Sequence, residues 1–146
     1  MLDVKIKLMR ENASLPEYKT AGAAALDLSS CADGPVTLLP GQRILIPTGI
    51  AISISSPDYV ALLCARSGLA SKAGVALANG VGVIDSDYRG EIFAAMINNS
   101  DTEYTVEPGE RIAQLMFMPI ERAAFTLTDC LDETERGAGG FGSTGK

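Results

Sequence analysis

Residues 79–91 read Asn-Gly-Val-Gly-Val-Ile-Asp-Ser-Asp-Tyr-Arg-Gly-Glu. The valines and the isoleucine are β-branched and favour a strand. Asparagine and glycine tolerate the positive φ values of tight turns. Four chemically useful side chains, Asp85, Asp87, Tyr88 and Arg89, crowd the bend. The stretch predicts a hairpin that holds these groups rigidly and offers its exposed backbone edge to a flat ligand.

Short β-rich runs separated by Gly, Pro and Asn turn signals extend outward from this stretch in both directions. Val4, Ile6 and Leu8 alternate with two lysines, which is the period of a half-buried strand. Further strands are predicted over residues 36–39, 43–46, 50–54, 59–64, 92–97, 112–118 and 124–127. Regular short strands of this kind are typical of an all-β sandwich, barrel or jelly roll.

One short helix is predicted over residues 67–73. Ser67 is a suitable N-cap, and Gly74 stands where a left-handed C-cap belongs. The start of this helix, Arg66-Ser67-Gly68, combines a cation, a hydroxyl and exposed N–H groups. It suits either an anion site or an ordinary capped turn with a surface arginine.

The composition predicts one domain with an aliphatic interior. The chain has 146 residues, of which 47% are hydrophobic and only 5% aromatic, so Val, Ile, Leu, Ala and Met should fill the core. No apolar run reaches the ~20 residues of a membrane span, and the first residues lack the pattern of a signal peptide, which predicts a cytoplasmic location. The three cysteines, Cys31, Cys64 and Cys130, are interpreted as small buried hydrophobes.

The charged residues exclude several functional classes. A net charge of −6 argues against binding to nucleic acid along its backbone. The sequence contains no histidine, so Ser-His-Asp catalysis and His-ligated metal sites are excluded. Acid–base chemistry must therefore use Asp, Glu, Tyr or Lys, and a phosphate ligand must be met by a few local arginines or a metal ion.

Two further features bear on function. Asp27, between Leu26 and Leu28, is either a solvent-facing strand residue or a group near a metal ion. From residue 132 onward the chain is acidic and then glycine-rich, and it cannot bury enough surface to order itself. The prediction is a folded domain over residues 1–131 and a flexible flap over 132–146, in which Arg136, Phe141, Ser143 and Thr144 could close over a nucleotide.

Five motifs together resemble the trimeric dUTPase family, in the right order and over nearly the whole chain. They are Ala-Ala-Leu-Asp-Leu at 24–28, Arg-Ser-Gly-Leu-Ala at 66–70, the stretch at 79–90, Pro-Gly-Glu-Arg-Ile-Ala-Gln at 108–114, and the glycine-rich sequence at 136–145. Ala25 and Ala65 depart from the family, which often has Gly and Pro there. The departures concern local backbone geometry.

The resemblance implies a distorted jelly roll that assembles as a homotrimer with shared active sites and hydrolyses dUTP to dUMP and pyrophosphate. Spacing alone places Asp85 and Asp87 on one side, and the resemblance selects Asp85 as the general base. It implies Mg²⁺ on the triphosphate, with Asp27 holding the waters of that ion. The implied substrate-binding residues are Arg66, Ser67, Gly68, Asn79, Gly82, Val83, Ile84, Tyr88, Met96, Gln114, Arg136, Phe141, Gly142, Ser143 and Thr144.

Two alternatives of the same fold are a dCTP deaminase and a non-catalytic trimeric nucleotide-binding protein. The deaminase family usually has Pro-Gly-Phe-like residues at the bend, where this chain has Ser86-Asp87-Tyr88. The presence of Asp85, Arg66 and the tail argues against a non-catalytic protein. A purely structural β-trimer is a third possibility. Product analysis after incubation with dUTP and dCTP separates these functions.

Overall fold

The computed structural model describes residues 1–140. That part of the chain forms eleven strands and one helix: β1 Val4–Leu8, β2 Leu26–Ser29, β3 Val36–Leu38, β4 Arg43–Pro47, β5 Ile50–Ile54, β6 Tyr59–Ala65, α1 Ser67–Ala73, β7 Val75–Leu77, β8 Val81–Ile84, β9 Phe93–Asn98, β10 Tyr104–Val106 and β11 Arg111–Pro119. The all-β prediction is confirmed. Strands β7 and β10 were not predicted, and a strand at β2 was considered only as one of two interpretations of Asp27.

The strands pair antiparallel in small sheets, as in a distorted jelly roll. The largest sheet has the order β2-β11-β6-β8, and a second has the order β4-β9-β7. Two pairs, β1-β5 and β10-β3, complete the fold. Strands far apart in sequence are neighbours throughout, so the fold depends on long-range pairing.

The interior is aliphatic, as the composition predicted. Leu38, Ile46, Met96, Ile112 and Leu115 have no exposed surface. Apolar burial of this kind is the main favourable term in folding, at roughly 25 cal/mol per Å². The cysteine interpretation holds only for Cys31, which is buried. Cys130 is exposed, so its classification as a buried hydrophobe was wrong.

The stretch at 79–91 contains the predicted strand and turn, but the predicted hairpin is wrong. The backbone N–H of Tyr88 donates to the carbonyl of Asp85 over 3.1 Å, which closes the turn. β8 then pairs with β6, whereas β9 pairs with β4 and β7. The bend therefore connects two sheets, and β8 lies at the end of its sheet with one edge lacking a strand partner within residues 1–140.

A partly buried carboxylate, that of Glu91, fixes the far side of this bend. Glu91 receives two hydrogen bonds from Arg10, Nε to Oε1 at 2.7 Å and Nη2 to Oε2 at 3.1 Å. The backbone N–H of Gly49 also donates to Oε1 over 3.0 Å. Planar pairs of this kind are strong and directional. Glu91 thus ties the bend to the N-terminal segment and to the β4–β5 turn.

The helix has the predicted bounds, Ser67–Ala73, and Gly74 is its C-cap at φ 69°. The predicted N-cap is wrong. Arg66 occupies the N-cap position without a side-chain capping hydrogen bond, and Ser67 is the first helical residue. The extended backbone of Arg66 leaves its guanidinium free to contact β2 and β11.

The strand predicted over residues 124–127 is absent from the described chain. Phe125 and Leu127 are 95% and 99% exposed, and after β11 the chain has no regular structure up to residue 140. Its apolar alternation has no partner strand in a single copy. In the described part of the chain, no helix is long and apolar enough to cross a membrane.

The packing around Gly49 predicts a large stability difference between two glycine-to-alanine variants. Gly49 has φ 75°, and a Cβ there would lie 2.5 Å from Cys31 Sγ and 2.6 Å from Ala13 Cβ. Gly49→Ala should lower the free energy of unfolding by about 2–4 kcal/mol through strain and overpacking. Gly41→Ala, at φ 74° in open space, should cost only about 1 kcal/mol. Urea denaturation at one chain concentration measures both, and equal losses would contradict the packing argument.

Candidate active site

The cavity beside β8 contains most of the residues predicted from the stretch at 79–91. It encloses about 240 Å³ and is lined by Leu63, Asn79, Gly82, Val83, Ile84, Asp85, Tyr88 and Phe93. Concave sites with a few convergent polar groups are the usual form of small-molecule sites. The structure thus brings Asn79, the β8 backbone, Asp85 and Tyr88 together.

Gly82 keeps the floor of this cavity open. A Cβ at Gly82 would lie 3.0 Å from Leu63 Cβ and 3.6 Å from Asn79 Nδ2. A side chain there would fill the space between the β8 backbone and the asparagine amide. The glycine therefore lets a flat ligand approach the unpaired edge of the strand.

Asp85 and Asp87, which spacing alone could not separate, occupy different positions. Asp85 follows the last residue of β8 and lines the cavity. Asp87 lies with Ser86 on a neighbouring cavity of about 360 Å³, which Asp85 also borders. Only Asp85 is therefore in position to act on a ligand in the β8 cavity.

Tyr88 is held in place by its own loop. Its ring packs over Gly90 so closely that a Cβ at Gly90 would clash with the ring and the hydroxyl. The hydroxyl donates to the carbonyl of Glu91 over 3.0 Å. The same Glu91 is bound by Arg10 and Gly49, so the tyrosine is fixed relative to the body of the domain.

A second polar cluster, which we call the arginine cluster, lies at the other end of β6 and consists of Asp27, Arg66, Arg111 and Gln114. Asp27 Oδ1 accepts from Arg66 Nε at 3.2 Å and from Gln114 Nε2 at 3.3 Å. Its Oδ2 accepts from Arg111 Nη1 at 2.9 Å. Arg66 Nη1 also donates to the carbonyl of Arg111 over 2.8 Å. The motifs around 27, 66 and 114 thus meet in one cluster.

The Asp27 side chain is only 11% exposed, so the solvent-facing alternative is wrong. Burial opposes its ionisation, but hydrogen bonds from Arg111 and Gln114 and the charges of Arg66 and Arg111 outweigh that cost and lower its pKa. Asp27 is therefore charged at neutral pH and holds two arginines at fixed positions.

The Asp85 cavity and the arginine cluster are far apart within one chain. Ile84 lies opposite Ala61 and Val81 opposite Cys64, so Asp85 follows at the Val60 end of β6, and Arg66 follows the opposite end. Six residues of extended strand separate these positions, which amounts to about 20 Å. One copy of the chain does not bring the Asp85 cavity and the arginine cluster together.

Several predicted site residues lie elsewhere. Ser67 and Gly68 are exposed at the start of α1 beside Arg66. Met96 is fully buried on β9, a position from which it cannot contact a ligand in this conformation. Arg136 donates from Nε to the carbonyl of Gly139 and does not line the β8 cavity. Phe141, Gly142, Ser143 and Thr144 lie outside the described residues.

The side chains of the site fit a metal ion only through intervening water and not by direct coordination. Over residues 1–140, no three Asp, Glu, Cys or His side chains are grouped closely enough to hold a metal ion. The one carboxylate of the arginine cluster, Asp27, already accepts three hydrogen bonds. These residues fit a metal ion that is carried mainly by ligand phosphates and met by Asp27 through water.

Comparison with known proteins identifies the family. The dUTPase family model matches residues 11–145. The chain belongs to the dUTPase family. A deoxyuridine 5'-triphosphate nucleotidohydrolase of Paraburkholderia phymatum is 50% identical over 145 residues, 99% of this chain and 98% of the relative. A Burkholderia mallei protein of the same name is 51% identical with the same coverage. The resemblance inferred from the five motifs is confirmed.

Solved dUTPase structures agree with the fold. That of Staphylococcus bacteriophage 80alpha dUTPase with dUpNHpp matches at TM-score 0.89 and 30% identity, covering 99% of each chain. A further structure of the phage enzyme matches at TM-score 0.81 and 28% identity, covering 90% of this chain and 99% of the other. The dCTP deaminase alternative is not favoured by any of these matches. The family uses a divalent metal ion.

Sequence reasoning missed the residues that support the site. Arg10 and Glu91 are 81 positions apart, so nothing local indicated their pairing. Arg111 was quoted within a motif but given no role, although it binds Asp27. Gly90 was interpreted as turn chemistry, whereas its function is to leave room for the Tyr88 ring. Only the Tyr-x-Gly spacing could have suggested that contact.

The Asp27 ion pairs predict a specific pH dependence of stability. Because the folded-state pKa of Asp27 is lowered, its contribution is complete above about pH 4 and is lost as the pH falls through that folded pKa. Asp27→Asn should reduce the free energy of unfolding by about 2 kcal/mol at pH 7. This difference from the unmodified chain should shrink below pH 4. Denaturant unfolding across pH 2–7 measures it, with Asp101→Asn on the exposed surface as a control. A pH-independent difference would contradict the assignment.

Proposed function

We propose that this chain hydrolyses dUTP to dUMP and pyrophosphate, with Asp85 orienting and deprotonating the attacking water. The observation that carries the proposal is the position of Asp85 in the β8 cavity, in a chain half identical to named nucleotidohydrolases. The water oxygen bonds to the α-phosphorus, and its proton passes to the Asp85 carboxylate. The bond from the α-phosphorus to the bridging oxygen breaks, and pyrophosphate leaves with the electron pair. The activity limits uracil incorporation into DNA and supplies dUMP for dTMP synthesis.

The β8 edge and Asn79 read the base in this proposal. The edge from Gly82 to Ile84 has backbone groups without a strand partner in the described chain, and the Asn79 amide lies across Gly82. Fixed donors and acceptors match the O2, N3–H and O4 of uracil. Cytosine would leave buried groups unpaired, at roughly 1–3 kcal/mol each. The methyl group of thymine would clash.

Tyr88 selects the sugar, and the second cluster binds the phosphates. The Tyr88 ring, fixed over Gly90, packs against deoxyribose and leaves no room for a 2′-hydroxyl. Arg66, Ser67, Gly68 and Gln114 contact the triphosphate. The divalent ion would be Mg²⁺ in this proposal, and Asp27 would contact it through water. When bound, the ion neutralises phosphate charge.

The distance along β6 supports the proposal of a homotrimer with shared sites. The substrate must reach Asp85 and the arginine cluster at once, but about 20 Å of strand separates them in one chain. A second copy can place its cluster beside the first copy's cavity. The exposed apolar side chains Phe125, Leu127 and Leu131 support such an assembly, since they have no cover in a single copy.

The tail completes the site in the same proposal. Residues 1–131 form the folded domain and residues 132–146 the flap. Arg136, Ser143 and Thr144 contact the phosphates of the bound nucleotide, Phe141 stacks over the base, and Gly142 is a further substrate-binding residue. Closure excludes water other than the attacking one.

The location proposed for the protein is cytoplasmic.

The general-base assignment predicts opposite behaviour of two neighbouring aspartates. Asp85→Asn should lower kcat by about 10²–10⁴, while the Kd for dUpNHpp changes little, since the amide keeps the shape of the side chain. Asp87→Asn is the matched control and should keep most of the activity. Steady-state kinetics and calorimetric titration measure both. If Asp87→Asn were the inactive variant, the assignment would be wrong.

Product analysis tests the reaction itself. In ¹⁸O-labelled water the heavy oxygen should appear in dUMP, because attack is at the α-phosphorus. Label found only in pyrophosphate would refute that point of attack. Ammonia released from dCTP would indicate the deaminase, and no product with tight nucleotide binding would indicate a non-catalytic protein.

The position of Tyr88 predicts a change in sugar selectivity from a residue outside the cavity. Gly90→Ala should push the Tyr88 ring away from its place over residue 90. The ratio of kcat/KM for dUTP to that for UTP should then fall by about tenfold, with little loss of stability because the Tyr88 ring is 44% exposed and its displacement breaks only one exposed hydrogen bond. Gly34→Ala, where a Cβ meets nothing, is the control. An unchanged ratio with a lower Tm would assign Gly90 a purely structural role.

A further inference from the structure

A β-bulge lies at the start of β11, beside the arginine cluster. Arg111 pairs with Ser29 of β2. The next pair is Ala113 with Leu28, so Ile112 is an extra residue in the ladder. Ile112 and Ala113 are both fully buried, whereas successive residues of a regular strand point to opposite faces. Bulges of this kind change the direction in which the neighbouring side chains point.

The bulge decides which face of the sheet Arg111 occupies. Arg111 and Gln114 are three residues apart, so in a regular strand their side chains would point to opposite faces. The extra residue places Arg111 opposite Ser29, two positions from Asp27 and on the same face as that carboxylate. From there the Arg111 side chain donates to Asp27 Oδ2, and its backbone carbonyl accepts from Arg66 Nη1. The geometry of the arginine cluster therefore depends on one inserted residue.

The turn before the bulge is held by the carboxylate of Glu110. Its Oε2 accepts from the backbone N–H of Glu107 over 3.0 Å, and its Oε1 accepts from the hydroxyl of Tyr104 on β10. The backbone carbonyl of Glu110 accepts from the N–H of Ser30 over 2.7 Å. The hydrogen bond to Glu110, burial and the charge of that carboxylate raise the pKa of Tyr104 to about 12, so the hydroxyl remains a donor near neutral pH. Glu110 thus ties the bulge to β10 and to the residue that follows β2.

A second turn of the chain shows that the turn alone does not produce the bulge. Residues 107–112 read Glu-Pro-Gly-Glu-Arg-Ile, and residues 39–44 read Leu-Pro-Gly-Gln-Arg-Ile. In the second of these turns Gln42 accepts from the N–H of the residue three positions earlier over 2.9 Å, as Glu110 does over 3.0 Å. The strand that follows Gln42, β4, pairs with β9 without a register shift. The additional contact at Glu110 is the hydrogen bond from the tyrosine on β10.

We infer that Tyr104 and Glu110 are positioning residues for phosphate binding, which act by holding the bulge at the start of β11. The inference rests on the proposed role of Arg66 as a phosphate contact. Residue 111 binds Arg66 through its carbonyl and Asp27 through its side chain, so a change of strand register there would release both. Neither positioning residue needs to touch the nucleotide. The expected effect is therefore on triphosphate affinity, with the β8 cavity left unchanged.

Binding of two nucleotides tests the inference. Tyr104→Phe and Glu110→Ala should each raise the Kd for dUpNHpp by about five- to tenfold, because Arg66 loses its fixed geometry. The Kd for dUMP, which has one phosphate in place of three, should stay nearly unchanged. Calorimetric titration at one chain concentration measures both values. The matched controls are Tyr18→Phe, at an exposed tyrosine, and Gln42→Ala, in the corresponding turn, and both should leave the two Kd values unchanged.

A double-mutant cycle shows whether the effect passes through Arg66. Arg66→Ala should weaken the binding of dUpNHpp by itself. Adding Tyr104→Phe to Arg66→Ala should raise the Kd by less than about twofold further, because the contact that the tyrosine positions is already lost. A residue that only supports the fold would lower the affinity to the same degree in both backgrounds.

Equal weakening of dUpNHpp and dUMP binding would overturn the inference, because it would indicate a general loss of structure. An equal effect of Gln42→Ala and Glu110→Ala on the Kd for dUpNHpp would do so as well, and so would additive losses in the cycle. If Glu110→Ala does not fold, Tyr104→Phe, which removes only a hydroxyl, decides the question.

Hydrolysis of dUTP by the unmodified chain is measured in parallel. Hydrolysis together with unchanged Kd values in the Tyr104 and Glu110 variants rejects only the positioning role. Absence of hydrolysis by the unmodified chain rejects the proposed function and the inference with it.

Discussion

The Glu91 carboxylate is the interaction on which the geometry of the site depends. It accepts two hydrogen bonds from Arg10 and one from the backbone of Gly49, and its side chain is only 13% exposed. Three charge-assisted bonds in a partly dry position make the bend after β8 a rigid part of the domain. Its own carbonyl then accepts the Tyr88 hydroxyl. The hydrogen bonds at Glu91 thus fix the position of the Tyr88 side chain. The turn from Asp85 to Tyr88 is held between Glu91 and β8.

A second constraint is the length of β6. One end of this strand carries the Asp85 bend through its pairing with β8, and the other end leads into Arg66. Since a strand is stiff and extended, the two groups cannot approach each other without breaking the central strand of the largest sheet. The fold therefore separates the Asp85 cavity from the arginine cluster within one chain. Symmetric assembly is the general way for such a chain to unite them.

The sequence was sufficient for features that local residues determine. Strand β5 and helix α1 have the predicted bounds, because alternation and the Gly74 cap are local signals. It failed where the partner is distant. The stretch at 79–91 looked like a hairpin because its turn is real, yet β8 pairs with β6 and β9 with β4, through contacts that no periodicity encodes. The strand prediction over residues 124–127 failed for a different reason. The pattern suits a strand, but one copy of the chain supplies no strand edge with which it could pair.

Asp27 shows why the candidate site was only partly predictable. An acid between two leucines on a strand gives the same pattern whether it faces water or a salt bridge. Only the tertiary fold brings β2, the start of α1 and β11 together so that Arg66, Arg111 and Gln114 surround it. The family motifs marked residues 27, 66 and 114 separately, but the resemblance gave no reason for their joint presence. The reason is that each side chain holds another in position.

An acidic protein that handles a triphosphate must concentrate its positive charge where it is needed. If the arginine cluster binds the phosphates as proposed, Asp27 lowers its net attraction for them, because it neutralises part of the charge of Arg66 and Arg111. In return it fixes both guanidinium groups before the ligand arrives, so less side-chain entropy is lost on binding. Arg66 is 23% exposed and Arg111 51%, so both keep donors that face solvent. The carboxylate therefore exchanges some electrostatic attraction for preorganisation, which favours one ligand geometry over general anion binding.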